Sequence, residues 1–88
     1  MTQDTFNKLY SEADRLVQTF IYWKLVYKDL KDDSITKLHY NKTRTKLFYL
    51  CDIIELLEED EKTRKMLLEH LQEELDLLNS FYNYVQYK

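Results

Sequence analysis

The chain has 88 residues and a formal net charge of −3; 44% of its residues are hydrophobic, 15% are aromatic, and none is glycine or proline. This apolar content excludes intrinsic disorder, and the missing glycine and proline argue against hairpins and phosphate-binding loops while favouring helices. A chain of this length makes one domain, so we expect residues 1–88 to form a single all-α bundle.

The first predicted helix runs from about Asp4 to about Lys31. Apolar residues recur there at alternating intervals of three and four, which is the spacing of one helix face. These residues are Phe6, Leu9, Ala13, Leu16, Phe20, Trp23, Tyr27 and Leu30.

The second predicted helix runs from about Ser34 to about Leu57. Its first half contains weak helix formers, and a break near Asn41 would give four helices instead of three. Its apolar stripe consists of Tyr40, Leu47, Leu50, Cys51, Ile54 and Leu57.

The third predicted helix runs from about Glu61 to about Tyr87, with Asp60 as its cap. The joints between the helices are short, so each helix should run antiparallel to the one before it, in an up-down-up bundle. The inner face of this helix consists of Leu67, Leu68, Leu71, Leu75, Leu78, Tyr82 and Val85.

The sequence contains more apolar residues than the core of such a bundle requires. Residues 20–27 are apolar almost all round the helix, and a thin bundle cannot cover every side of one member. Exposed aromatic and apolar residues commonly mark interfaces, used here either by a larger protein that the chain modulates or by further copies of the chain. The predicted interface residues are Tyr22, Trp23, Leu25, Val26, Phe48 and Tyr49.

Positive charge is concentrated in the second helix. Residues 31–50 contain five basic and two acidic residues, whereas residues 51–88 contain four basic and ten acidic ones. Lys37, Lys42, Arg44 and Lys46 are therefore candidate contacts to nucleic acid or to an acidic partner. They divide between the two flanks of the apolar stripe, while a recognition helix gathers its bases on one outward face. A nucleic-acid-binding regulator is thus the alternative to a protein-binding module.

Motifs for catalysis or metal binding are missing from the sequence. His70 has Glu74 one turn later, but the sequence contains neither Glu-x-x-His nor HExxH. Cys51 lies on the apolar stripe, where a cysteine acts as a small hydrophobe. We therefore expect no enzyme, no cofactor, no metal and no small-molecule ligand.

One spacing points to a third alternative. Arg64 and His70 resemble the Arg-x4–6-His motif of HEPN ribonucleases, which place both side chains at one groove. The resemblance covers residues 64–70 only, and the acidic surroundings would repel RNA. It implies at most a HEPN-like ribonuclease fragment.

Composition also suggests location and source. A single cysteine and the absence of a long apolar run predict a cytoplasmic protein without membrane contact. Alanine occurs once in a chain expected to be helical, while Lys, Tyr, Asn and Ile are abundant. We interpret this as an AT-rich coding sequence, as in a phage or another mobile element of a low-GC bacterium.

Overall fold

The computed structural model describes residues 2–26, 33–57 and 60–86, which form three α-helices. α1 covers Gln3–Val26, α2 covers Asp33–Leu57 and α3 covers Glu61–Gln86. Each helix packs against both others, and the molecule measures 45 × 18 × 16 Å along its principal axes. The prediction of three packed helices is confirmed. The expected end of helix 1 near Lys31 lies outside the described residues.

Side-chain caps set the beginnings of α1 and α3. α1 begins at Gln3, earlier than predicted, because the Thr2 hydroxyl oxygen accepts the Thr5 N–H at 3.2 Å. At α3, Asp60 Oδ2 accepts the Thr63 N–H at 3.1 Å and the Thr63 hydroxyl at 2.5 Å. These hydrogen bonds lower the pKa of the Asp60 carboxyl. The predicted cap at Asp60 is confirmed.

α2 is continuous through its polar first half. The break that the sequence left open near Asn41 does not occur, so the described residues form three helices and not four. The Thr43 hydroxyl donates to the His39 carbonyl at 2.9 Å, which satisfies that side chain without interrupting the helix.

The core is a single column of mainly aliphatic side chains. Val17, which the predicted stripe of helix 1 omitted, is fully buried. Leu57 was predicted on the stripe of helix 2, and this is wrong because it is 73% exposed. It is the last residue of α2 and lies about 60° round the helix from Ile54. The buried apolar residues are Ala13, Leu16, Val17, Phe20, Leu47, Ile54, Leu67, Leu71, Leu75 and Leu78.

Aromatic rings extend the core towards the C-terminal part of α3. The Phe20 ring meets Phe81 edge-on, with centroids 6.0 Å apart, and the Tyr40 and Tyr82 rings stack at 3.9 Å. The Tyr40 hydroxyl also donates to Asn79 Oδ1. Residues from all three helices thus meet at this level. None of the three described helices is both long and apolar enough to cross a membrane.

Replacing Leu47 by alanine should test the inner face of α2. Leu47 has no exposed surface, so Leu47→Ala should lower the free energy of unfolding by about 2–5 kcal/mol, and the milder Ile54→Val by about 0.5–1.5 kcal/mol. The matched control is Leu56→Ala, which removes a side chain that is 83% exposed and should change stability by less than about 0.5 kcal/mol. Urea titrations followed by circular dichroism provide the values; equal losses at Leu47 and Leu56 would contradict the assigned face.

Candidate functional site

A groove with an apolar floor and a basic wall runs between α1 and α2. It encloses about 340 Å³, and core residues Leu16 and Phe20 form part of its lining. The α1 side adds Arg15, Thr19 and Trp23, and the α2 side adds His39, Lys42, Thr43 and Lys46.

Trp23 joins this groove to the core. Its ring lies 6.3 Å from the Phe20 ring and 4.2 Å from the His39 ring, measured between centroids. The side chain is half-buried and packs against the core cluster. Trp23 is therefore held in a defined position while one part of it stays open to the groove.

Positive charge dominates the groove. Arg15 donates two hydrogen bonds to the Glu12 carboxylate, one from Nε at 2.8 Å and one from Nη2 at 2.5 Å. This hydrogen bonding, helped by the nearby charge of Lys46, lowers the pKa of Glu12. Lys42 and Lys46 add two further cations from α2. Three cations thus surround this groove, and Glu12 neutralises one of them.

The structure brings together two of the four predicted basic contacts. Lys42 and Lys46 line the groove, whereas Lys37 and Arg44 do not. The Arg44 guanidinium lies over the Phe48 ring, 5.1 Å from its centroid. Arg15, which the sequence reading did not select, completes the basic wall from α1.

The predicted apolar contacts do not form one patch, and only Trp23 lines the groove. Tyr22, Leu25 and Val26 are 72%, 57% and 54% exposed. Val26 follows Tyr22 by four positions and Trp23 by three, so these side chains are neighbours on the α1 surface. Tyr49 is exposed and borders a hollow with Lys46.

Phe48 is also exposed, and its ring lies under Arg44. Arg44 and Phe48 are absent from three hollows that contain Lys46, so Phe48 and Tyr49 lie on different sides of α2.

A cluster of polar side chains lies between α1 and α3, outside this groove. The His70 side chain is 8% exposed, and its Nε2 atom lies 3.1 Å from Asp14 Oδ1 and 4.0 Å from Glu74 Oε1. The Tyr10 carbonyl oxygen also lies 3.1 Å from this nitrogen. The Tyr10 ring stacks on the imidazole, with centroids 3.4 Å apart and an interplanar angle of 8°.

Glu74 is the least satisfied member of this cluster. Its side chain is 12% exposed, and its Oε2 atom is buried without a hydrogen-bond partner among the described residues. Burial, the hydrogen bond with the Asp14 carboxyl and the negative charges of Asp14 and Glu73 raise the pKa of Glu74 to about 7. The sequence revealed His70 and Glu74 one turn apart, but only the packing of α1 on α3 adds Asp14.

The other side chains considered for chemistry have different surroundings in the described part of the chain. Arg64 borders a surface hollow with Glu61 and Gln72, whereas His70 is buried against α1. Burial raises the pKa of the Cys51 thiol, which opposes formation of a reactive thiolate. Neither arrangement favours the HEPN-like alternative or a cysteine nucleophile.

Comparison of the chain with protein-family models, with curated proteins and with solved structures finds no match. Inference about function therefore rests on the groove between α1 and α2 and on the cluster between α1 and α3.

The raised pKa of Glu74 predicts a pH-dependent stability. Its pKa is about 7 in the folded chain and near the ordinary 4.5 in the unfolded one, so folding takes up a proton between these values. This stabilising contribution is complete below pH 4.5 and is lost as the pH rises through 7. In a buffer that contains EDTA to remove metal ions, the free energy of unfolding should fall between pH 4.5 and pH 7 by at most about 1.4 kcal/mol per pH unit. Glu74→Gln should weaken this dependence on pH.

The matched control for this titration is Glu69→Gln, which neutralises an exposed carboxylate on α3 and should keep the wild-type slope. His70 and Asp14 lie beside Glu74, so the difference between the curves reports the titration of the cluster with and without the Glu74 carboxyl. Urea unfolding at several pH values provides the data, and parallel curves for wild type and Glu74→Gln would contradict the assignment.

Proposed function

We propose that this chain is a non-enzymatic protein-interaction module, which binds an acidic segment of a larger protein at the groove between α1 and α2 and modulates that protein. The observation that carries the proposal is the combination of an apolar floor, a half-buried Trp23 and three cations in one groove. Tryptophan and arginine are the residues that most often dominate binding energy at interfaces.

The chemistry of the groove supports a partner with both negative charge and apolar anchors. Arg15, Lys42 and Lys46 would attract carboxylates and speed the encounter, since complementary charge raises association rates. Leu16 and Phe20 offer apolar surface at the floor of the groove, beside the half-buried Trp23. An acidic segment that carries one or two large apolar side chains fits this surface best.

Charge also argues against self-association through this groove. A symmetric dimer would bring the same patch of each copy together, which places two groove walls that each carry Arg15, Lys42 and Lys46 in one interface. Like charges placed opposite each other across an interface are strongly unfavourable. The groove therefore supports a different protein as the partner better than a second copy.

Nucleic acid is the second candidate occupant. A groove with cations and an aromatic ring is able to hold a single strand through phosphate contacts and base stacking. Of the four lysine and arginine residues in segment 37–46, only Lys42 and Lys46 line the groove, so this segment offers phosphate less positive charge than its sequence suggests. Salt-sensitive binding of a single-stranded oligonucleotide, lost on Lys42→Ala and Lys46→Ala, would favour this candidate.

The proposal also covers the order of the helices, the cellular location and the source of the chain. Contacts that join Phe20 to Tyr40 and to Phe81, and Tyr10 to His70, support an antiparallel up-down-up order of one domain. We also infer a cytoplasmic regulator encoded by a mobile element of a low-GC bacterium, which rests on composition alone.

Selection of a random peptide library on the immobilised chain tests the proposal. A variant with Lys42→Glu and Lys46→Glu serves as the counter-target. We expect enriched peptides to combine Asp or Glu with aromatic or large aliphatic residues, because the groove joins cations to an apolar floor. The strongest peptide should bind the double variant at least about tenfold more weakly, a loss of about 1.4 kcal/mol.

The matched control is Lys37→Glu, which reverses an exposed charge of the same helix that does not line the groove. It should leave the affinity of the selected peptide within about twofold, as expected for a distant exposed charge. Enrichment of basic or uncharged peptides, or an equal loss on Lys37→Glu, would contradict the proposal.

A further inference from the structure

The cluster between α1 and α3 joins side chains of the kinds that bind transition metals. His70 and Glu74 lie one helical turn apart on α3, and Asp14 faces them from α1. One atom of each side chain is available as a ligand, and these atoms all lie within 4.8 Å of one another. We propose that this cluster binds one Zn²⁺ ion through His70 Nε2 and one carboxylate oxygen each from Asp14 and Glu74.

The distances suit a small dication after little movement. Zn²⁺ binds histidine nitrogen and carboxylate oxygen at about 2.0–2.2 Å, so two ligands of a tetrahedral ion lie roughly 3.3–3.5 Å apart. The separations from His70 Nε2 are 3.1 Å to Asp14 Oδ1 and 4.0 Å to Glu74 Oε1, on either side of this range. Small rotations of the two carboxylates would bring the three atoms to the required separation.

The Glu74 carboxyl shares a hydrogen bond with Asp14 but keeps one oxygen without a partner in the described part of the chain, which adds a second indication. Its Oε2 atom lacks a hydrogen-bond partner among the described residues, although the atom is buried. A buried carboxylate oxygen without a partner is costly unless a proton or a cation compensates it. A dication held between Glu74 and Asp14 would compensate both carboxylates at once.

The imidazole is held in an orientation that suits coordination. The stacked Tyr10 ring covers one face of His70 and leaves its Nε2 edge directed at Asp14. Coordination at Nε2 needs the ring proton on Nδ1, and the bond to the metal then replaces the contact of Nε2 with the Tyr10 carbonyl. The Asp14 side chain is 46% exposed, which gives an ion a route from solvent.

The donor set identifies the class of metal. An imidazole with two carboxylates suits Zn²⁺, whereas Mg²⁺ and Ca²⁺ prefer oxygen ligands alone. Three protein ligands leave a fourth position of a tetrahedral ion for water. The proposal is independent of the function assigned to the groove, because the groove and this cluster share no residue.

Calorimetric titration of the EDTA-treated and dialysed full chain with ZnCl₂ tests this inference. We expect one ion per chain, and at least about tenfold weaker binding for Glu74→Gln and for His70→Gln, since even indirect partners of a metal site affect affinity by about 10–100-fold. His39→Gln removes the other histidine, and Cys51→Ser removes the only thiol. Both should leave the affinity unchanged.

His70 is buried, so His70→Gln also requires a check of helicity by circular dichroism. Asp14→Asn changes a half-exposed ligand and serves as the variant that keeps the core intact, with the same expected loss. Co²⁺ added in place of Zn²⁺ should give the visible absorption of a four-coordinate site. Absence of stoichiometric Zn²⁺ binding, or affinity that is lost on His39→Gln or Cys51→Ser and kept on Asp14→Asn and Glu74→Gln, would overturn the proposal.

Discussion

The contact of Ala13 and Val17 on α1 with the aliphatic residues of α2 and α3 holds the molecule together. Ala13, Val17, Leu47 and Leu78 have no exposed surface, and they come from all three helices. The small side chains on α1 let the neighbouring helices approach closely. Since three helices enclose only one narrow column, each helix has room to bury a single stripe, and its remaining apolar residues stay at the surface.

α1 has a different role on each flank of its buried stripe. On the side of α2 it contributes Arg15 and Trp23 to a basic groove. On the side of α3 it contributes Asp14 and the Tyr10 ring to a buried polar cluster. Asp14 and Arg15 are adjacent in sequence and lie on opposite flanks of the buried stripe of α1. The orientation of α1 about its own axis therefore positions both the polar cluster and the groove.

Helical periodicity predicted most of the fold because it reports directly on burial. The stripes gave nine of the ten buried apolar residues, and Val17 was missed because it lies beside the heptad positions. The predicted burial of Leu57 was wrong because the apolar stripe of one helix does not show where the neighbouring helices end. The break that the sequence left open near Asn41 does not occur, because packing against two helices outweighs weak local propensity.

The groove and the polar cluster were harder to predict from the sequence, because each is formed by residues of two helices. Lys42 and Lys46 were recognised, and helical periodicity already placed them on the flank away from Arg44. Their proximity to Arg15 depends on which flank of α2 faces α1. His70 and Glu74 have a readable spacing of four, whereas Asp14 is distant in sequence and no local pattern connects it to them. The periodicity of apolar residues shows which face of one helix is buried. Predicting a site between two helices also requires knowing how the helices are rotated relative to each other.

A groove between α1 and α2 that serves a different protein should stand open on a folded monomer. Light scattering coupled to size-exclusion chromatography, over a wide range of protein concentration, measures the mass of the chain in solution. A mass of 10.9 kDa is expected throughout. A dimer at low concentration that Lys46→Glu converts to monomer would contradict this expectation, because the groove would then be occupied by a second copy of the chain.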